Sequence, residues 1–387
     1  MRDRRIHALV VFGTRPEAIK LAPVIRELSR RRKEFRLTVC ATAQHRQLLD
    51  QVTRLFHIHV HRDLNIMKPD QKLDQLTALA MVRVSAMLKQ VQPDVIVLQG
   101  DTTTTFVTAL AGFYQRIPVA HVEAGLRTLD RFAPFPEEIN RRLTTHLADY
   151  HFAPTDWAKK NLLREGIAPE RVLVTGNTVV DAFREAQSLV RRKPPTIPSL
   201  KGLSWAHRKL VLVTAHRREN FGRGLEGICL ALRQLALSRD DLEIVYPVHP
   251  NPNVREPVWK SIGGLRHIHL IEPLAYLQFI WLMTQAYLVL TDSGGIQEEM
   301  PSLGRPVLVM REKTERPEGL EAGVCQLVGT NPDAIRSAVV RLLDDKRAYR
   351  QFGHRGNPFG DGKASPRIVR YLARVLRQAS SVKLCSW

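Results

Sequence analysis

Residues 288–308, LVLTDSGGIQEEMPSLGRPVL, contain the clearest indication of the fold in this chain. The apolar run at 287–290 is typical of a buried parallel strand, and a helical pattern begins at Ile296. A strand that ends at Ser293-Gly294-Gly295 leaves backbone N–H groups unpaired at the helix start, where the helix dipole favours negative charge. Because doubly wound sheets bind ligands at this edge, the stretch predicts a phosphate site rather than an ordinary strand–turn–helix. Glu299, about one turn further on, suits the hydroxyls of a sugar.

Strand-like apolar runs alternate with helical patterns along the whole chain, which predicts parallel sheets. A proline-rich charged segment at 191–199, RRKPPTIPS, interrupts the alternation. We therefore expect an α/β protein of two Rossmann-like doubly wound domains that face a central cleft. The expected limits are 1–190 and 191–364, with a last helix at 365–378 that crosses back to the first domain.

The chain has 387 residues and a formal net charge of +20. Most of the excess lies in residues 1–36 and 346–387, and a basic surface of this kind suits nucleic acid or an anionic membrane. No recognition motif supports either partner, so we favour a solvated basic face that steers an anionic substrate. The four cysteines have neither metal-ligand nor disulfide spacing, and no run of about eighteen apolar residues occurs. These features predict a cytoplasmic protein without a bound metal.

Three carboxylates stand at separate strand exits or helix starts, namely Asp101, Glu123 and Glu137. A single carboxylate at such a position is usually a helix cap or a solvated ion pair. Three of them among arginines and lysines favour acid–base chemistry, because neighbouring cations and burial set carboxyl pKa values apart. His216 follows another strand directly and suits contact with a departing diphosphate, although a plain loop histidine fits the spacing equally well.

A set of motifs occurs in order along nearly the whole chain: FGTRPEAIKLAP, TAQHRQLLDQV, GDTTTT, HVEAGLRT, PFPEEINRR, TGNTVVDA, AHRRENFGRG, YPVHPNPNV, LTDSGGIQEEMPSLGRPVLVMREKTERPE and NPFGDGKAS. This set resembles the non-hydrolysing UDP-N-acetylglucosamine 2-epimerases. The resemblance implies a glycosyltransferase-B-like fold, usually a homodimer, in which the second domain holds the uridine diphosphate. It also implies interconversion of UDP-N-acetylglucosamine and UDP-N-acetylmannosamine without a cofactor, for surface polysaccharide synthesis. The implied route is anti elimination of UDP to 2-acetamidoglucal, followed by syn re-addition.

The resemblance also implies roles for individual residues. The catalytic positions are Asp101, Glu123, Glu137 and His216. The substrate-binding positions are Arg15, Lys20, Arg141, His249, Ser293, Gly294, Gly295, Glu299 and Arg316. A second UDP-N-acetylglucosamine, bound as an activator, is implied at Gln44, Gln47, Gln71, Glu138, Arg217 and His249.

Three positions depart from the family pattern: Gln99 replaces a common His, Met300 replaces a common Ala, and His354 begins an unusual lead into the Gly-Asp-Gly segment. None of them removes a proposed catalytic group. A diacetamido uronic acid substrate and a hydrolysing reaction that releases N-acetylmannosamine both remain open. A glycosyltransferase of the same architecture and a nucleic-acid-binding protein are the alternatives from other functional classes.

Overall fold

The structure is a computed structural model that describes residues 5–42, 46–67, 71–203, 207–353 and 356–384. The chain divides into two compact units, one of Met1–Ala182 with Gly360–Trp387 and the other of Phe183–Phe359. Each unit contains one parallel β-sheet flanked by helices, which confirms the α/β fold class expected from the alternating pattern. The limits expected from the sequence, 1–190 and 191–364, remain a prediction about independent domains.

The strands are short and mostly apolar, as expected for strands covered on both faces. In chain order they are β1 Ile6–Phe12, β2 Phe35–Ala41, β3 Arg62–Asp63, β4 Val95–Gln99, β5 Val119–Val122, β6 Tyr150–Ala153, β7 Val172–Val174, β8 Lys209–Thr214, β9 Leu242–Pro247, β10 Ile268–Ile271, β11 Leu288–Thr291, β12 Val307–Val309 and β13 Cys325–Leu327.

The helices cover the faces of the two sheets, and several begin directly after a strand. In chain order they are α1 Arg15–Arg30, α2 Arg46–Leu55, α3 Leu73–Val91, α4 Thr103–Tyr114, α5 Glu137–Leu147, α6 Asp156–Arg164, α7 Thr178–Arg192, α8 Arg223–Ser238, α9 Pro252–Ile262, α10 Tyr276–Gln285, α11 Gly294–Glu299, α12 Pro317–Glu321, α13 Pro332–Asp344, α14 Lys346–Gly353 and α15 Ala364–Leu384.

Both sheets have the strand order that creates a switch point. The first runs β3-β2-β1-β4-β5-β6-β7 and the second β10-β9-β8-β11-β12-β13. The order reverses direction between β1 and β4 and again between β8 and β11, and ligands bind beyond the carboxyl ends of such strand pairs. The loops after these four strands hold Thr14, Asp101, His216 and Asp292, so the topology itself selects them.

Helix α15 belongs to the first unit and packs beside α1. The carboxylate of Asp181 accepts hydrogen bonds from the backbone N–H groups of Ala364 at 3.2 Å and Ser365 at 2.8 Å. The ring of Tyr371 meets Phe152 of β6 edge-on, with centroids 5.7 Å apart. A helix was expected at 365–378, and the observed one extends to Leu384.

In the segment 288–308, helix α11 begins at Gly294, two residues before the expected Ile296. It is short, and a 3-10 helix continues it from Met300 to Leu303. Gly304 then ends the segment in a left-handed conformation, with φ 62°, that glycine adopts without strain. Because α11 begins at Gly294, both Gly294 and Gly295 lie in the first turn of that helix.

Candidate active site

In the first unit, two of the predicted catalytic carboxylates come together at one edge of the sheet. Strands β4 and β5 are parallel neighbours with Gln99 opposite Val122, so Asp101 and Glu123 both follow the carboxyl ends of adjacent strands. Glu123 is 6% exposed. The side chain of Asp101 is 26% exposed. The edge thus carries one enclosed carboxylate and one that solvent or a ligand can reach.

Glu123 is held by three side chains from different elements. The Lys20 ammonium donates to both carboxylate oxygens, at 2.8 and 2.6 Å. Asn177 Nδ2 donates to Oε1 at 3.1 Å, and Gln99 Nε2 donates to Oε2 in a close contact. Glu123 itself has a positive φ of 63°, which is uncommon for a residue with a side chain. These donors are oriented toward the negatively charged form of the carboxyl group.

Asp101 is held by helix α5. Arg141 Nη2 lies 2.5 Å from Asp101 Oδ2, and Asn140 Nδ2 donates to the Asp101 carbonyl oxygen at 3.0 Å. Arg141 also lies 3.5 Å from a carboxylate oxygen of Glu138. The predicted substrate-binding Arg141 is therefore the ion-pair partner of a predicted catalytic carboxylate.

Glu137 and Glu138 are neighbours at the start of α5 but have different surroundings. Glu137 is the first residue of the helix and is half-buried. Glu138 is fully buried, and its carboxylate accepts the backbone N–H groups of Thr128 at 3.1 Å and Leu129 at 3.3 Å. Glu138 thus fixes the loop before α5.

Sequence reasoning missed Glu17 as a member of this site. Its buried carboxylate accepts the backbone N–H groups of Gly13 and Thr14 and the hydroxyls of Thr14, Thr102 and Thr105, at 2.7 to 3.0 Å. Burial raises the pKa of Glu17, and these hydrogen bonds oppose that rise. Glu17 therefore ties the loop after β1 to the loop after β4. The sequence signal at Glu17 is a capping box, Thr14-x-x-Glu17, which indicates the start of α1 and not a link to the loop after β4.

His121 was also missed, although it lies two residues before Glu123. Its Nε2 is 2.7 Å from the carbonyl oxygen of Gly100, so that nitrogen carries the proton and donates. Burial lowers the pKa of His121 to about 4, and the bond to Gly100 opposes that change. A neutral histidine therefore holds the backbone immediately before Asp101.

In the second unit, Asp292 organises the loop after β8. Its Oδ2 accepts the backbone N–H groups of His216 and Arg217, each at 2.8 Å, and Nδ2 of Asn220 at 3.2 Å. The imidazole Nδ1 of His216 lies 3.5 Å from Oδ1 of the same carboxylate. Asp292 is fully buried, and these hydrogen bonds fix the loop that connects β8 to α8.

His216 stacks on His249, which follows β9. The ring centroids are 5.4 Å apart and the planes differ by 14°. Burial lowers the pKa of His216, while Asp292 acts to raise it. Because 38% of its side chain is exposed, His216 is accessible to a ligand in its neutral form.

The positively charged guanidinium of Arg316 lies beside the turn at Gly294. Its Nε donates to Glu298 at 2.6 Å, and its Nη1 donates to Glu315 at 2.5 Å. Burial acts to raise the pKa of Glu315, but Arg316 and two further arginines outweigh it and hold the pKa well below its usual range. Arg217 Nη2 lies 3.9 Å from the same Glu315. Ionised glutamates thus hold two predicted ligand-binding arginines in place.

The remaining predicted residues lie as follows. Arg15 begins α1 and is half-buried, Ser293 precedes α11 with its N–H bonded to Thr291 Oγ1 at 2.9 Å, and Glu299 ends α11 and is buried. Of the proposed activator set, Gln44 lies outside the described residues, as does the side chain of Gln47 in α2. Gln71 lies just before α3.

Within the described ranges, no group of His, Cys, Asp and Glu side chains has the arrangement of a metal site. Over the same ranges, no helix is long and apolar enough to cross a membrane. Cys40, Cys229 and Cys325 are free and buried. Burial raises the pKa of each of these thiols to about 12, so they behave as apolar core groups.

Two doubly wound parallel sheets with polar clusters beyond the switch-point strands define the class of α/β enzymes that bind nucleotide ligands at that edge. Comparison with known proteins narrows the class. The profile of the UDP-N-acetylglucosamine 2-epimerase family matches residues 26–373. The chain belongs to this family.

Curated relatives match this chain over nearly their whole length. The UDP-N-acetylglucosamine 2-epimerase of Escherichia coli O157:H7 is 52% identical over 368 residues, which cover 94% of this chain and 97% of the relative. The enzyme of the same name from Yersinia pestis is 53% identical over 367 residues, with the same shares covered.

Solved structures of related enzymes also superpose on this chain. The UDP-GlcNAc 2-epimerase from Neisseria meningitidis, bound to UDP-GlcNAc, is 46% identical and superposes with a TM-score of 0.90 over 95% of this chain and all of that one, a coverage of 100%. The Methanocaldococcus jannaschii enzyme, in complex with UDP-GlcNAc and UDP, is 35% identical with a TM-score of 0.80, over 95% of this chain and 100% of that one. These matches confirm the family resemblance and the two-domain α/β fold.

Proposed function

We propose that this protein interconverts UDP-N-acetylglucosamine and UDP-N-acetylmannosamine by inverting carbon 2 of the sugar. The observation that carries the proposal is the set of carboxylates at the carboxyl ends of β4 and β5, each paired with a cation: Asp101 with Arg141 and Glu123 with Lys20. The Neisseria meningitidis enzyme bound to UDP-GlcNAc supports the choice of substrate.

The proposed reaction proceeds by elimination and re-addition. The bond between carbon 1 and the UDP oxygen breaks and its electron pair leaves with UDP, while a carboxylate removes the proton from carbon 2. The carbon–hydrogen electrons form the double bond of 2-acetamidoglucal. In the return step the UDP oxygen attacks carbon 1, and the double-bond electrons take a proton on the opposite face of carbon 2. No electrons pass to an acceptor, so no nicotinamide cofactor is needed.

The roles proposed for the individual residues follow from the order in which the bonds of the substrate break. The hydrogen on carbon 2 is not acidic, so cleavage at carbon 1 leads and positive charge develops there. Asp101, Glu123 and Glu137 are the proposed groups that stabilise this charge and move the proton. In the second unit, His216, Arg316 and the N–H groups at Gly294 are the proposed partners of the departing UDP, with His249, Ser293 and Gly295 completing that site. Arg15 and Glu299 are proposed to bind the rest of the substrate.

Further parts of the proposal rest on the family alone. We place the enzyme in the cytoplasm as a homodimer that supplies N-acetylmannosamine units for surface polysaccharides. We also retain the second UDP-N-acetylglucosamine as an activator. Neither nucleic acid nor a membrane is a proposed partner.

Incubation of the pure protein with UDP-N-acetylglucosamine alone, followed by proton and phosphorus NMR, tests the activity. Appearance of UDP-N-acetylmannosamine supports the proposal. Release of free N-acetylmannosamine with UDP would indicate the hydrolysing reaction. An unchanged spectrum without an acceptor would favour a glycosyltransferase, and turnover only of a diacetamido uronic acid nucleotide would change the substrate.

A further inference from the structure

The carboxylate of Glu123 has a different environment from that of Asp101. Lys20 donates to both Glu123 oxygens, Asn177 donates to Oε1 and Gln99 donates to Oε2. Gln99 is 3% exposed and Asn177 is 1% exposed, so both amides are buried groups and not mobile surface side chains. Asp101, by contrast, has Arg141 as its ion-pair partner and is partly open to solvent.

We propose that Gln99 and Asn177 are positioning residues that, together with Lys20, hold Glu123 ionised in one orientation at the start of the reaction. This inference rests on the proposed epimerisation and adds to it. Glu123 then enters the forward step as a proton acceptor or as the charge that stabilises the positive carbon 1. It does not enter that step as the proton donor.

The physical reason is that Lys20, Asn177 and Gln99 all donate hydrogen bonds to the Glu123 carboxylate. A carboxylate that accepts several N–H bonds is stabilised in its charged form, because protonation would place an O–H against one of those donors. Of the other ionisable groups at these strand ends, Asp101 follows β4, and burial keeps His121 of β5 neutral. The ammonium of Lys20 lies 2.6 Å from Oε2 of Glu123, so its positive charge favours ionisation directly.

The backbone conformation at Glu123 explains why the amides of Gln99 and Asn177 are needed to orient its carboxylate. Glu123 has a φ of 63°, so the chain turns sharply there, and the side chain alone does not define where the carboxylate points. Gln99 ends β4, and Asn177 lies just before α7, where its Oδ1 also accepts the Val179 N–H at 3.0 Å. Two rigid elements thus fix the two oxygens independently.

Three substitutions test the role. Gln99→Met removes the donor at similar volume. Gln99→Glu and Asn177→Asp replace a donor with a second negative charge, and Asn177→Asp keeps the acceptor that caps α7. Gln115→Met is the matched control, since Gln115 donates to the Ser85 carbonyl at 3.0 Å just beyond the far end of α4, about 18 Å along the helix from its start.

The expected result is a fall in kcat at neutral pH of about 10-fold to 100-fold, with a much smaller change in KM, because a bond to a charged group is lost. In addition, the acid limb of the kcat profile moves to higher pH in all three variants, since ionised Glu123 becomes harder to form. Gln115→Met shows neither effect. A fall in kcat with an unmoved acid limb would mean a structural role only and would overturn the proposal.

A second measurement does not depend on turnover. In protein labelled with carbon-13 at glutamate carboxyl carbons, the Glu123 signal is assigned by its absence in Glu123→Gln. We expect it to titrate at a higher pH in Gln99→Met and Asn177→Asp than in the unsubstituted protein. An unchanged midpoint would overturn the proposal even in a protein that lacks epimerase activity, and absence of that activity would by itself contradict only the proposed reaction.

Discussion

The guanidinium of Arg316 lies directly against Gly294. A Cβ added at Gly294 would stand 2.4 Å from Arg316 Nη1 and 2.5 Å from its Cζ, both far inside van der Waals contact. At Gly295 the nearest atom to such a Cβ is Ser293 Oγ, at 3.9 Å. The two glycines of the turn therefore have different functions. Gly294 makes room for an arginine, and Gly295 presents open backbone.

Substituting each glycine with alanine separates these functions. Gly294→Ala displaces Arg316 from Glu298 and Glu315, so we expect weaker UDP binding by about tenfold or more together with a lower Tm. Gly295→Ala should keep the Tm and still weaken binding, because the new methyl group occupies the space through which the diphosphate approaches the backbone. Calorimetry with UDP measures both. Unchanged affinity in Gly295→Ala would place the diphosphate elsewhere.

Neutralising the carboxylates should affect turnover more than binding. We expect Asp101→Asn, Glu123→Gln and Glu137→Gln each to lower kcat by about 10²-fold to 10⁴-fold, the range typical of acid–base groups. The change in substrate affinity should be smaller, because these groups act on the transition state. Steady-state kinetics of each variant provide the test, and near-normal turnover in any of them would remove that residue from the catalytic set.

Two buried histidines predict loss of stability in acid. Burial lowers the pKa of His121 to about 4 and that of His151, its neighbour across the β5–β6 pair, to about 3. In the unfolded chain both titrate near 6.5. Between these values the unfolded state binds more protons than the folded state, so the free energy of unfolding falls as pH falls from about 6.5 to about 3.

His151→Leu isolates this effect, because neither ring nitrogen of His151 has a hydrogen-bond partner within the described residues. We expect the variant to lose less stability in acid, by up to about 1.4 kcal/mol for each pH unit in that window. Urea unfolding at several pH values measures the slope. The exposed His207 of the second unit provides the control, His207→Leu, and an identical slope in all three proteins would contradict the assignment.

The proposed activator site predicts an unusual progress curve. A ligand that contributes binding energy only to the active conformation shifts the population toward it. Pure UDP-N-acetylmannosamine should therefore react with a lag that a trace of UDP-N-acetylglucosamine abolishes. We also expect sigmoidal kinetics in the reverse direction, from UDP-N-acetylmannosamine, and Gln44→Ala should flatten them. A full initial rate from pure UDP-N-acetylmannosamine would mean that this chain has no such site.

The sequence predicted the architecture because local signals carried it. Alternating apolar runs and helical patterns indicated parallel sheets, and residues such as Asp101 and His216 stood where strands end. The topology then places those ends at the switch points. The sequence predicts the start of α11 two residues too late, because glycines are poor helix formers and Gly294-Gly295 is typical of a turn.

The arrangement of partners within the site could not be predicted, because it depends on side chains far apart in the chain. Lys20, Gln99 and Asn177 meet at Glu123 from an α1 position, a strand end and a loop. No periodicity or spacing links them. The sequence marks Gln99 only as a departure from the family pattern. The capping box alone accounts for a glutamate at position 17, so the sequence does not predict its bonds to Thr102 and Thr105.

Epimerisation in deuterium oxide tests whether UDP is eliminated and added back during the reaction. The enzyme is incubated with UDP-N-acetylglucosamine, without added cofactor, and carbon 2 of both nucleotide sugars is followed by NMR and mass spectrometry. If UDP is eliminated and added back as proposed, UDP-N-acetylmannosamine forms with deuterium at carbon 2, and Asp101→Asn lowers both its formation and its labelling. Formation of UDP-N-acetylmannosamine that retains the original hydrogen at carbon 2 would contradict exchange of that proton with solvent and point to an internal hydrogen transfer instead.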